Sequence, residues 1–383
     1  MKIEAGVIGT GFIGPVHIGG LRRIPGIHVK ALADAGPDVS RAKAAELGVG
    51  QWHGDYQQLL KDDDIQVVHI CVPNHLHYEV ARAALQAGKH VICEKPLAMT
   101  VAEARELTEL AHTRKLVNAI HFNIRYYPLI RQLKTMVERG EMGRIFSVHG
   151  SFLQDWLFYD TDYNWRLESS LSGTSRAVAD IGSHWMDLIE HVSGLRIVQV
   201  FSDFATMHKT RKKPKKPVET YSNMLLKPED YAEIPIDTED YATVLFRFQD
   251  GERGCLTVSQ VSAGRKCRLW FELDGSKQSA AWDSESPNQL WLGHREKSNE
   301  LLLRDPSLAY PEATRLMTVP AGHNEGFHDT SRALFMEVYQ AVRDNCVGEA
   351  PLYPTFRDGL REMRILDAVL QSNTTQSWVG IEE

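Results

Sequence analysis

EAGVIGTGFIG, residues 4–14, runs a short apolar segment into a glycine string, and an amphipathic stretch from Ile13 to Arg23 follows directly. Gly9, Gly11 and Gly14 have G-x-G-x-x-G spacing, and strand, glycine turn and helix are the context that this motif requires. Gly9 permits a tight turn, Gly11 a close backbone approach to a pyrophosphate, and Gly14 close helix–strand packing. Phe12 and Ile13 sit where the helix N-terminus would offer amide donors and a positive dipole end to phosphates. Pro15 falls in the first turn, where a missing N–H costs nothing. A glycine turn without ligand is the plainer alternative. The next apolar run ends at Asp34, about 20 residues further on, where an acid accepts from ribose hydroxyls and repels a 2′-phosphate. That favours NAD; a loop or capping aspartate is the alternative, and Arg41 nearby leaves NADP open.

Outward from this stretch, apolar runs at Glu4–Ile8, Val29–Ala33, Val67–Val72, His90–Cys93 and Val117–Ile120 alternate with helical periods. The helical stretches are Ile13–Arg23, Ser40–Leu47, Tyr78–Gln86 and Val101–Thr113. Strands apolar on both faces with helical crossovers predict an α/β, doubly wound parallel sheet over residues 1–122. The pattern changes in residues 123–383. A helix at Leu129–Arg139 is followed by alternating segments at Ile145–Leu153, Val198–Thr206, Tyr241–Phe248, Gly254–Val261, Cys267–Leu273 and Gln289–Leu292. These predict an α+β domain with a large, mostly antiparallel sheet, one face open. Helical patterns return at Val178–Val192, Glu325–Arg343 and Thr355–Leu370, the last expected to pack back toward the first domain. The basic segment His208–Pro217 reads as an exposed, solvated loop interrupting the sheet, with a local anion or partner contact as the alternative.

Composition narrows the function classes. A chain of 383 residues, 43% hydrophobic and 24% charged, buries a sizeable core. A formal charge of −7 argues against a nucleic-acid or anionic-membrane binder. No apolar run approaches the ~18 residues of a membrane span, and Met1-Lys2 leads straight into a strand pattern, so a cytoplasmic protein is expected. Five cysteines without a Cys-x-x-Cys pair indicate neither a disulfide framework nor a thiolate metal site.

CVPNHLH (Cys71–His77) and ICEKPL (Ile92–Leu97) end later strands of the predicted parallel sheet, and ligands of such sheets bind beyond the strands' carboxyl ends. Pro96 fixes the backbone beside Lys95, whose ammonium could stabilise negative charge on a substrate oxygen; taken alone, Lys95 reads more often as a surface lysine. DIGSHWMD opens a helix with Asp180, His184 and Asp187 on one face. Three readings stand: a general acid/base histidine with a carboxylate partner, a divalent metal site, or a buried, satisfied histidine. The segment Phe152–Glu168 mixes aromatics with Asp, Asn, Gln and Arg, a composition suited to sugar faces and hydroxyls, or to a mobile surface loop.

GTGFIG, Asp34, PNHLH, EKP and D-x-x-x-H in this order resemble the glucose-fructose oxidoreductase / inositol dehydrogenase / MocA (Gfo/Idh/MocA) family. PTFRDGLREMRILDAVLQS resembles its C-terminal helix. The resemblance implies an N-terminal Rossmann domain and a C-terminal α+β domain whose open sheet mediates homo-oligomers, dimeric or tetrameric. It implies Lys95 as the lysine polarising the reacting oxygen, His184 as general acid/base and Asp180 as its partner. Asn74, His75, Glu94, Pro96, Asn123, Trp165 and Arg166 match cofactor-side positions. Arg125, Gln154, Asp155 and His323 match substrate-side positions. Many members carry Gly-Gly before the aspartate, where this chain reads Gly173-Thr174-Ser175-Arg176, which leaves the pocket's shape open.

The expectation is an NAD-dependent dehydrogenase of a sugar, glycoside or inositol-like polyol, with no metal. Three alternatives stand beside it: a glycosidase or lyase that retains NAD and oxidises transiently, a non-catalytic NAD-binding regulator, and a metal enzyme built on Asp180, His184 and Asp187.

Overall fold

The computed structural model describes residues 2–216, 226–346 and 351–382. The chain divides into two compact units, Met1–Tyr126 with Gly326–Met363, and Tyr127–Glu325 with Arg364–Glu383.

The first unit holds a six-stranded parallel sheet. Its strands are β1 (Ile3–Ile8), β2 (Ile27–Ala33), β3 (Gln51–His53), β4 (Ile65–Ile70), β5 (His90–Cys93) and β6 (Asn118–Ile120). They lie in the order β3–β2–β1–β4–β5–β6, so direction of travel reverses between β1 and β4. Ile3, Ala5 and Val7 on β1 are fully buried, as strands covered on both faces require. The predicted doubly wound sheet is therefore present. β3 was not predicted: its residues, Gln51-Trp52-His53, are largely exposed on the sheet's edge and carry no apolar run.

A polar cluster is buried in this unit's core. His17, from the helix Ile13–Arg22, places Nδ1 2.9 Å from His69 Nδ1 and Nε2 3.1 Å from Glu94 Oε1. His121 Nδ1 lies 2.6 Å from the same oxygen. His69 Nε2 and His121 Nε2 meet Tyr339 Oη at 3.0 Å and Ser331 Oγ at 3.1 Å, both on the helix Phe327–Arg343. The bonds that link Glu94, His17, His69 and Tyr339 fix a direction. An ionised Glu94 accepts from His17 Nε2–H, so the neutral His17 accepts at Nδ1 from His69, which accepts at Nε2 from Tyr339. Burial pushes His17 down to about 4, the His121 charge adding to it against the pull of Glu94, and burial takes His69 well below the ordinary range. Both imidazoles are thus neutral in the folded protein, whereas the unfolded chain protonates them below about 6.5. Stability should be complete above pH 6.5 and fall as pH drops toward 4, His17 alone contributing about 3 kcal/mol at one pH unit per 1.36 kcal/mol. Urea unfolding at stepped pH measures this; a flat profile between pH 7 and 4.5 would contradict it.

The second unit holds a nine-stranded sheet. Its strands are β7 (Ile145–Leu153), β8 (Ile197–Ala205), β11 (Tyr241–Phe248), β12 (Arg253–Ser259), β13 (Arg268–Gly275), β14 (Ser279–Asp283), β15 (Gln289–Gly293), β16 (Glu300–Leu303) and β17 (Val379–Gly380). The order is β16–β15–β14–β13–β7–β12–β11–β8–β17, antiparallel except for β7 beside β12. On β11, Ala242, Val244 and Phe246 are buried while Leu245 is 40% exposed, the alternation of a sheet covered on one face. Trp185, from the helix Ser183–Ser193, stacks on Phe246 at 5.7 Å and covers that face.

The basic segment is not a solvated loop. Thr210–Pro214 forms β9, paired with β10 (Tyr231–Pro235) in a two-stranded ribbon, and Arg211 is buried. Its guanidinium lies 2.8 Å from Asp240 and donates to the carbonyls of Leu157 and Tyr159, which compensates the buried charge. Lys212 and Lys213 pair with Asp160 and Glu168. Pro217 lies outside the described residues.

Candidate active site

The dinucleotide motif is built on the turn after β1. Gly9 has φ +89°, and a Cβ there would sit 2.6 Å from the Cys71 carbonyl. A Cβ on Gly14 would collide with the Gly9 carbonyl oxygen, while at Gly11 nothing lies within 4 Å. Two positions are thus closed to any side chain by backbone, and the third faces open space where a ligand can approach. Phe12 is exposed and Ile13 begins the helix.

Asp34, at the end of β2, accepts at Oδ2 from Thr10 N (2.7 Å) and Thr10 Oγ, and at Oδ1 from Ala35 N (2.7 Å). It therefore holds the glycine turn, and its carboxyl oxygens lie at the turn's rim, with lone pairs left for hydroxyls. Arg41 pairs with Asp38 at 3.1 Å on the exposed side of its own helix. The closed glycine positions and the carboxylate together fit a dinucleotide with a free 2′-hydroxyl.

Two further loops leave the same sheet at β4 and β5, beside the reversal of strand order, where ligands of open α/β sheets bind. Asn74–Leu76 makes a short 3₁₀ turn, with Asn74 half-buried and His75 exposed. The buried His77 joins the two loops, Nδ1 2.6 Å from the Pro96 carbonyl and Nε2 2.9 Å from that of Val72. Lys95 is half-buried, and its peptide to the buried Pro96 is cis. Glu94 turns inward to His17 and His121, with Oε2 accepting from Lys95 N at 3.3 Å. Burial alone would raise its pKa; His121 and His17 hold it well below the usual carboxylate range. His17, Glu94 and His121 offer three ligating atoms within 4.8 Å, yet their separations are hydrogen-bond lengths centred on one carboxylate oxygen. Asn123 donates to Thr330 Oγ at 2.8 Å and Arg125 pairs with Asp358 at 2.9 Å, both inside the first unit.

The second unit carries the remaining candidates. Val178–Gly182 forms a π turn before the helix Ser183–Ser193. Such turns widen the spacing of neighbouring side chains and recur at functional sites. Asp180 lies in the π turn, while His184 and Asp187 lie in the helix after it. Asp187 is buried, and among the described residues the three do not gather into a metal-ligand group. Asp180 accepts at Oδ1 from Arg166 Nε (3.2 Å) and at Oδ2 from Gln260 Nε2 (3.0 Å). Arg166 lies over the Trp165 ring at 4.5 Å and takes a second acceptor in Asn164 Oδ1. Asp180, Trp165 and Arg166 are thus brought together, with the half-buried His184 one turn along.

Other expected substrate residues have other partners. Gln154 accepts from Trp156 Nε1 at 2.7 Å and reaches Cys267 Sγ. Asp155 binds Lys266 Nζ at 2.6 Å and Gly264 N at 3.0 Å. His323 is exposed in a turn where its carbonyl accepts from Arg304. Sequence reasoning missed the histidine cluster and Gln260; no motif marks either.

Comparison with known proteins bears on the family of the chain. Residues 3–122 match the model of an oxidoreductase family with an NAD-binding Rossmann fold, and residues 130–281 that of the GFO/IDH/MocA C-terminal domain. Levoglucosan dehydrogenase of Pseudarthrobacter phenanthrenivorans is 28% identical over 100% of this chain and 99% of its own. Inositol 2-dehydrogenase of Salmonella typhimurium is 36% identical over 39% of this chain and 46% of its own. Among solved structures, levoglucosan dehydrogenase in complex with NADH and L-sorbose superposes with a TM-score of 0.89 at 27% identity, covering both chains fully. An oxidoreductase domain protein from Kribbella flavida, 31% identical, also gives 0.89 over both full chains. With both halves matched and the glycine turn, EKP loop and D-x-x-x-H helix in place, the chain belongs to the Gfo/Idh/MocA family of oxidoreductases with an NAD-binding Rossmann fold.

Proposed function

We propose that this protein is an NAD-dependent dehydrogenase of a small sugar, anhydrosugar or cyclitol, acting on a secondary hydroxyl. The observation that carries the reading is the convergence of the glycine turn, Asp34 and Lys95 at the carboxyl ends of β1, β2 and β5. The relatives named for levoglucosan and inositol support the substrate class.

NAD, when bound, accepts the hydride that leaves the substrate carbon. Lys95 donates to the reacting oxygen and stabilises its growing negative charge. His184 takes the hydroxyl proton as general base. Asp180, held by Arg166 and Gln260, gives that base a fixed negative partner. One C–H and one O–H bond break, the carbonyl forms, and one proton passes to His184. Asn74 and His75 border the cofactor side, with Trp165 and Arg166 beside Asp180. The open sheet face, with Phe146, Leu245, Leu301 and Leu303 exposed, supports a homo-oligomer through that face.

The test is near-ultraviolet absorbance during incubation with NAD and a panel of levoglucosan, inositols, aldoses and glycosides. Reduced nicotinamide with one substrate group is expected. Cleaved glycoside without net reduced cofactor would move the reading to an NAD-retaining lyase or glycosidase. A flat trace with no product would leave an NAD-binding regulator. Asp34→Ala should raise KM for NAD by roughly 10- to 100-fold, the loss of hydrogen bonds to a charged acceptor, and narrow the preference over NADP. Unchanged KM values for both cofactors would remove Asp34 from the cofactor site.

A further inference from the structure

Gln260 ends the strand stretch after β12, fully buried, with both ends of its amide engaged. Its Oε1 accepts from Arg176 Nη1 at 3.2 Å, and its Nε2 donates to Asp180 Oδ2 at 3.0 Å. The orientation admits no flip. A guanidinium only donates, so the amide oxygen must face Arg176, which leaves the NH₂ for the carboxylate. Arg176 is itself immobilised. Its Nη2 lies 2.5 Å from Asp240 Oδ1, which Arg211 also meets at 2.8 Å, and its Nε donates to Thr238 Oγ at 3.2 Å. Asp240 Oδ2 accepts from the amides of Met207 and His208. Burial alone would raise Asp240, but Arg176, the His208 amide and Arg211 together hold its carboxyl below the usual range.

The backbone carrying Asp180 is fixed from the same side. Glu239 accepts from Ser175 Oγ (2.7 Å), Arg176 N (3.0 Å) and Val178 N (2.9 Å) at the entry to the π turn.

We propose that Gln260 is a positioning residue for Asp180: the Arg176–Asp240–Arg211 ion cluster orients its amide, and the amide fixes the second carboxylate oxygen of Asp180. The proposal rests on the reading of Asp180 as the partner of the catalytic base. The charged groups packed about the pair are Arg166, Arg176, Arg211, Asp240 and Glu239, with His184 one turn along.

Gln260→Glu gives a distinctive test. The new carboxylate keeps its bond to Arg176 but turns an oxygen toward Asp180 Oδ2. With one proton shared, the pair reproduces the original N–H···O bond; without it, two anions repel. kcat/KM with the substrate found in the panel should approach wild type at the acid end of the profile. It should fall roughly 10- to 100-fold as pH rises and the shared proton is lost. The loss should lie in kcat rather than in KM for NAD, and return on re-acidification. Gln260→Met, which lacks the donor at every pH, should be slow throughout. A Gln260→Glu profile parallel to wild type, or a loss independent of pH, overturns the proposal. Asp180→Asn separates the two levels. If it is inactive while Gln260→Glu parallels wild type, only this inference fails. If Asp180→Asn is fully active, or nothing in the panel reduces NAD, the underlying reading fails and this inference with it.

Discussion

His184→Ala is expected to lower kcat by roughly 10²- to 10⁴-fold, the usual worth of a positioned general base, with NAD affinity unchanged. Lys95→Ala should lose turnover of similar order, since its ammonium stabilises charge that develops only on the way to the carbonyl. The two variants should differ in their pH behaviour. Without His184, turnover should rise with pH as solvent hydroxide replaces the missing base. Without Lys95, the enzyme keeps its base and should retain the wild-type ionisation limb at a lower plateau. Steady-state kinetics with cofactor titration by fluorescence checks both. Substantial turnover in a folded His184→Ala protein would remove the acid/base assignment.

Gly14→Ala should have the second large effect. Its Cβ would meet the Gly9 carbonyl oxygen, a backbone atom that gives way only if the turn moves, and Gly9 is itself closed in by the Cys71 carbonyl. A cost of about 1–3 kcal/mol in apo stability follows from forced overpacking. NAD affinity should fall as well, because the displaced turn is also held by Thr10 on Asp34. Gly11→Ala is the matched control. Its Cβ enters open space, so apo stability should stay within about 0.5 kcal/mol of wild type while NAD binding weakens. Apo melting curves and cofactor titrations of both variants decide it. A Gly14→Ala protein with native stability and native affinity would contradict the described turn.

The core of the fold was legible because its physics is local. The Ile- and Val-rich runs of β1, β4 and β5 can only be strands covered on both faces, and the glycine string marks its own turn. β3 escaped because an exposed edge strand of three residues has no apolar signature. The lysine-rich segment misled for the opposite reason. Its charge count is that of a solvated loop, and only Asp240, far along the chain, explains why Arg211 is buried in a ribbon. The site divides in the same way. Lys95, Asp180 and His184, on which the proposed function rests, stand in short sequence motifs that a family resemblance can point to. Gln260, and the partnership of His17, His69 and Glu94 with Tyr339, depend on pairings across the sheets that no spacing encodes.

The most direct test of the account is isotopic. Levoglucosan and myo-inositol carrying deuterium on each ring carbon in turn would be incubated with the protein and NAD, and the recovered nicotinamide examined by mass spectrometry. The account predicts one deuterium transferred to the nicotinamide from a single carbon, in equimolar amount with the ketone formed, and none with His184→Ala on the same timescale. Ketone or cleaved product with the label washed into solvent, or no label in the cofactor from any position, would contradict it.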